Sequence, residues 1–74
     1  MRNQVDVRTV KETYQSGMRI RLVKMNDVQA PPIGCEGTVR GVDDAGSVMV
    51  AWDTGSSLSV ILGEDEIEIL EDLR

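Results

Sequence analysis

Two periods of hydrophobic residues divide this chain, a helical one before Gly17 and a two-residue one after it. Met18, Ile20 and Leu22 alternate with Arg19, Arg21 and Val23, the pattern of a half-buried strand. Val48, Val50 and Trp52 repeat that alternation. Residues 37–43 form a further strand, with Gly41 at a bulge or sharp bend. Residues 57–62 and 66–70 make the fourth and fifth strands, the last with Ile67 and Ile69 facing inward. Ahead of Gly17, Val7, Val10 and Tyr14 fall on one helical stripe, and the Asp6 carboxylate is placed to cap the first turn. Gly17 supplies the positive φ that helix ends often use. The β-branched residues of this segment lower its helix propensity, so it depends on docking to the rest of the chain.

The connections carry their own signals. Residues 25–34 form a loop that Pro31 and Pro32 stiffen into an extended path. Asp43-Asp44-Ala45-Gly46, Asp53-Thr54-Gly55-Ser56 and Gly63-Glu64-Asp65 are turns. Five short strands with regularly spaced turns, on a chain of 74 residues, predict a small and strongly bent barrel. The expected fold is therefore all-β: a five-stranded SH3-like barrel with one short N-terminal α-helix. Residues 1–5 are read as a flexible N-terminus, 6–16 as the helix, 17–70 as the barrel and 71–74 as a C-terminal tail.

Composition narrows the classes of function. The length allows one domain. The single cysteine, Cys35, has no internal partner, and there is no histidine, so neither a disulfide nor a His-ligated zinc site is expected. One thiol without a signal peptide suggests a reducing cytoplasm, and no apolar run reaches membrane-spanning length. The net charge of −5 is uneven. Residues 1–40 hold seven Lys/Arg against four acids, whereas residues 41–74 hold only Arg74 against nine. Such asymmetry reads either as a basic patch or as one half of a barrel laid on the other. With the first strand beside the last, Arg19 and Arg21 would stand next to Glu66 and Glu68 and cancel the patch.

The sharpest candidate chemistry lies in Val50-Ala51-Trp52-Asp53-Thr54-Gly55-Ser56-Ser57. It resembles the aspartic-protease run, and Ile61-Leu62-Gly63 resembles that family's second element. Proteolysis would need two copies of Asp53 sharing a proton across a dimer. The interval between the two elements, however, holds one short strand and has no room for a flap. A turn explains the same residues, with Asp53 bonding the backbone ahead of it and Gly55 at positive φ. Of Glu64, Asp65, Glu66, Glu68, Glu71 and Asp72, half alternate outward from a strand, and the group reads as a solvated acidic face, not a calcium loop. Cys35 lacks a histidine base and is expected to be inert.

A binding role leaves two surfaces. The 25–34 loop, with Pro31 and Pro32, together with Trp52, Met49 and Leu58 would suit a protein partner or a second copy. Arg19, Arg21, Lys24 and Arg40 would form the alternative nucleic-acid stripe. Two aromatics and a negative net charge speak against that stripe.

Several blocks carry a resemblance: Tyr14 through Leu22, Asp27-Val28-Gln29-Ala30-Pro31-Pro32, Gly37-Thr38-Val39, Gly41-Val42-Asp43-Asp44 and Val50 through Leu58. In this order they resemble an uncharacterised family of short bacterial proteins, also seen on phages and mobile elements. The resemblance implies an SH3-like fold with a leading helix and no established activity. Gly-Thr-Val followed by Val-x-Trp-Asp-x-Gly-Ser is also similar, more distantly, to the Mind bomb domain, some of whose members bind peptide segments of partner proteins. Val60-Ile61 stands where that pattern has Tyr-Arg.

The sequence thus predicts a cytoplasmic, non-enzymatic protein-interaction or accessory module without cofactor, metal, membrane or small-molecule substrate. A nucleic-acid-associated factor is the alternative, and a dimeric aspartic protease the remote one.

Overall fold

The structure is a computed structural model that describes residues 6–72. The expectations of a flexible segment at 1–5 and of a tail at 73–74 lie outside the described residues. Helix α1 (Val7–Thr13) opens on Asp6, whose carboxylate accepts a hydrogen bond from the Arg8 amide, and it buries Val10. It ends at Thr13, three residues short of the expected 6–16. Tyr14 is already extended, and the Gln15 and Glu12 backbones turn toward Met18 and the Gln15 side chain. The positive φ of Gly17 therefore belongs to that turn and not to the helix cap.

Four strands follow: β1 (Met18–Lys24), β2 (Glu36–Val42), β3 (Val48–Trp52) and β4 (Glu66–Asp72). They form one antiparallel sheet in the order β3-β2-β1-β4. As expected, the first strand lies beside the last. Strand β4 runs two residues into the segment read as a tail. The β2–β3 register slips between Val39 and Gly41, which places the anticipated bulge at Gly41.

The expected five-stranded closed barrel is not what forms. The sheet is open, and residues 57–62 contribute only two isolated bridges, Val60 to Val48 and Leu62 to Asp65. The local cause is competition for backbone groups. The Leu58 carbonyl accepts from Trp52 Nε1 at 2.8 Å, the Leu58 amide donates to Ser56 Oγ, and the Ile61 amide donates to Asp65 Oδ2. Groups held by side chains cannot extend a ladder, so the fourth expected strand becomes an irregular strap and β3 and β4 remain sheet edges.

One face of the sheet carries the core. Met18, Ile20 and Leu22 of β1, Val39 of β2, and Val48, Val50 and Trp52 of β3 are buried there, covered by Val10 of α1, Met25 and Val60. Ile67 packs against this cluster, but Ile69 is 44% exposed. It sits on the edge strand beside a register slip, with Ile69 in register with Ile20 and Glu71 with Arg19, and no further strand covers it among the described residues.

Candidate functional site

The Asp-Thr-Gly-Ser run is a corner. The Gly55 amide donates to the Trp52 carbonyl and the Trp52 amide to the Ser56 carbonyl, with Gly55 at φ 100°, a region that side-chain-bearing residues rarely adopt. The Asp53 carboxylate does not bond the backbone ahead of it, as its turn position suggests. It receives the Arg19 guanidinium through both oxygens, Nη1 to Oδ1 at 3.0 Å and Nη2 to Oδ2 at 2.7 Å. Arg19 lies opposite Thr38, and Thr38 opposite Ala51. These two small side chains let the arginine reach across the outer face of the sheet, donating to Thr38 Oγ1 on the way.

This pair is the end of a longer ladder. Arg19 also meets Glu36 at 3.2 Å, Arg21 lies 3.7 Å from Glu36 and 3.5 Å from Glu68. Cations and carboxylates alternate along the row from Asp53 to Glu68, so the arginines do not form an unpaired stripe. Glu66 stands opposite Lys24, which leaves Arg19 with partners other than the ones its strand position suggests. The bidentate hydrogen bonds and the charge of Arg19 hold Asp53 below the ordinary carboxylate value, and Asp53 in turn holds the guanidinium proton more tightly. A protease dyad needs two carboxyls sharing a proton. Here both oxygens of Asp53 are engaged by a cation that opposes such sharing.

The residues proposed for partner binding do not form one exposed surface. Trp52 is 3% exposed and belongs to the core, so it offers no contact surface. Pro31 is buried while Pro32 is exposed. Met49, 38% exposed, lines a small depression with Arg40, Val50, Ser57 and Ser59. Leu58 is partly buried and lines a different cleft. Of the candidate basic residues, Arg40 is exposed and has no ion-pair partner within the described residues. Cys35 is partly buried, with its Sγ donating to the Glu36 carbonyl.

That second cleft is about 550 Å³ in volume. Its apolar lining comes from Met25, Leu58 and Ile61, the last 50% exposed. One wall is the loop Asn26, Asp27 and Gln29, shaped by the Gln29 amide donating to Asp27 Oδ1 at 2.8 Å. The other wall is the strap, with Ser56, Ser57, Ser59 and Glu64. Val28, fully exposed, stands in the loop between two lining residues. No lysine or arginine lines the cleft, so its electrostatic character is acidic. The hydroxyls have no histidine to activate them, since the chain contains none. Within the described residues, no cluster of three or more His, Cys, Asp or Glu is placed to hold a metal, and no helix is long and apolar enough to cross a membrane.

Sequence reasoning set Leu58 beside the 25–34 loop, which supplies Met25, Asn26, Asp27 and Gln29, but missed Ile61 and the serines of the strap. The cleft exists because the strap fails to pair as a strand, and alternation cannot report that failure. The one available signal was the clustering of Ser56, Ser57 and Ser59, which compete for backbone hydrogen bonds. Searches among curated proteins and among solved structures find no significant match. A family model does match, over residues 3–70, nearly the whole chain: this protein belongs to the DUF4314 family, a domain of unknown function.

Proposed function

We propose that this domain is a non-enzymatic protein-interaction module whose contact surface is the cleft between the Asn26–Gln29 loop and the strap. The observation that carries this reading is the lining itself: an apolar strip of Met25, Leu58 and Ile61 bordered by hydroxyl, amide and carboxylate groups. Apolar centres with polar rims are how protein interfaces combine affinity with orientation. The fully exposed Val28, between the lining residues Asp27 and Gln29 in sequence, adds apolar surface. The resemblance to the Mind bomb domain, some of whose members bind peptides, points the same way. We place the module in a bacterial or mobile-element cytoplasm on the strength of its first family resemblance.

The ion-pair ladder supports this reading over the other two. Asp53 is occupied as a structural partner of Arg19, which leaves the protease reading without a free carboxyl. Arg19 and Arg21 face carboxylates, which removes two of the four cations from a phosphate-binding stripe.

The test is a photo-crosslinking side chain at Ser57, which is exposed and lines the cleft, with the same group at exposed Thr9 of α1 as the control. In native-host cells the Ser57 position should yield a discrete protein adduct that Leu58→Glu abolishes. The Thr9 position should not yield it. Equal adducts from both positions, or none from Ser57, would overturn the proposal.

A further inference from the structure

We infer that the outer edge of β4 is a strand-addition site for an extended segment of a partner protein that alternates basic and aliphatic residues. The inference concerns a surface other than the cleft, and it rests on the proposed function in assuming that the module binds protein.

The hydrogen-bond pattern shows which backbone groups are available. The Leu22 amide donates to the Cys35 carbonyl and the Leu22 carbonyl accepts from the Gly34 amide, both at 2.8 Å. Leu22 therefore points its backbone groups toward β2. Backbone direction alternates along an antiparallel strand, so Ile20 does the same and Arg21 points toward β4. Arg21 lies opposite Glu68, while Leu22 lies opposite Ile67 and Ile20 opposite Ile69. Glu68 thus bonds to β1, and Ile67 and Ile69 direct their amides and carbonyls away from the sheet. Within the described residues, no strand lies on that side of β4. An unpaired row of this kind is a template for another strand.

The chemistry of the occupant follows from what β4 already accepts. Its inner neighbour, β1, reads Met-Arg-Ile-Arg-Leu-Val-Lys, and sets Arg21 against Glu68 and Lys24 opposite Glu66. Ile67 and Ile69 meet the aliphatic residues of β1 on the other face. A strand added outside β4 meets the same acidic face and the same two isoleucines, of which Ile69 is 44% exposed. A second copy of β4 is a poor occupant. Four of its seven residues are acidic, and like charges set opposite one another oppose pairing.

The experiment titrates the full chain with a seven-residue peptide alternating arginine and valine, followed by amide NMR and hydrogen exchange. A peptide with glutamate in place of arginine is the control. The amides of Ile67 and Ile69 should shift and gain protection with the basic peptide alone. Backbone N-methylation at Ile69, introduced by chemical synthesis, should weaken that binding about tenfold, the loss of one buried hydrogen bond. Because this amide faces outward, the sheet should keep its native amide spectrum, and Ile69→Val should retain binding. Four results would overturn the inference. Shifts confined to the cleft would do so while leaving the proposed function standing. Equal binding of the acidic peptide, or no response at β4, would remove the edge as a charge-selective site. Protection of β4 in concentrated protein without peptide would replace the partner by a second copy.

Discussion

Replacing Gly37 by alanine probes how tightly the sheet is closed over its core. A Cβ at this position would lie 2.8 Å from Trp52 Cε3 and 2.8 Å from Val50 Cγ1, with the Ala51 carbonyl at 3.1 Å. Neither side chain has room to retreat, because Trp52 is 3% and Val50 1% exposed. Forcing one extra carbon into such a site costs typically ~1–3 kcal/mol. Against the ~3–5 kcal/mol of net stability that a core of this size supplies, that is a large fraction. For a domain of 60–100 residues each kcal/mol moves the melting temperature by about 4–8 °C, so a cost of ~2 kcal/mol lowers it by roughly 8–16 °C. Thermal unfolding followed through Trp52, the only tryptophan, reads the change directly. Gly63→Ala, with nothing within 4 Å of the added carbon, separates crowding from backbone strain. A Gly37→Ala melting temperature within ~2 °C of the parent would refute the packing described here.

Other outcomes follow from the corner and its ladder. Asp53 has its pKa lowered in the folded chain from an ordinary value near 3.8, so its contribution to stability is complete above that value. The contribution disappears as pH falls through the lowered folded value; Asp53→Asn should flatten this part of the acid-unfolding curve, and an unchanged curve would contradict the pairing. Gly55→Ala should cost about 1–2 kcal/mol through its backbone alone, since no atom lies within 4 Å of the new carbon. Gly55→Asn should cost less, as read by chemical denaturation. Trp52→Phe removes the donor to the Leu58 carbonyl and should cost about 1–3 kcal/mol, visible by circular dichroism. Parent-like stability would mean that this bond does not hold the strap.

The local signals in the chain were strong where backbone pairing and burial agreed. Met18, Ile20 and Leu22 alternate and are buried, and Asp6 caps α1. The first strand pairs with the last, and Gly41 sits at a register slip. The barrel was not legible, because residues 57–62 have the composition of a strand but lose their backbone groups to Trp52, Ser56 and Asp65. The same event made the cleft invisible in the sequence. The partner of Asp53 was hidden for a different reason: Arg19 lies 34 positions away in the chain. The pair becomes evident only when the rows Arg19–Thr38 and Thr38–Ala51 are in register. Trp52 was legible as a core residue, and its size made it tempting as a contact residue as well; burial leaves it only the first role.

The cleft, and not the Asp53 corner, is the surface we propose to meet a partner. The most direct measurement is a hydrogen-exchange footprint of the chain bound to the protein crosslinked through Ser57. Slowed exchange at residues 26–29 and 56–61, with the Asp53–Gly55 corner unchanged, is the predicted result. Protection centred on Arg19, Arg21 and Asp53, with the loop and strap exchanging as in the free chain, would contradict it.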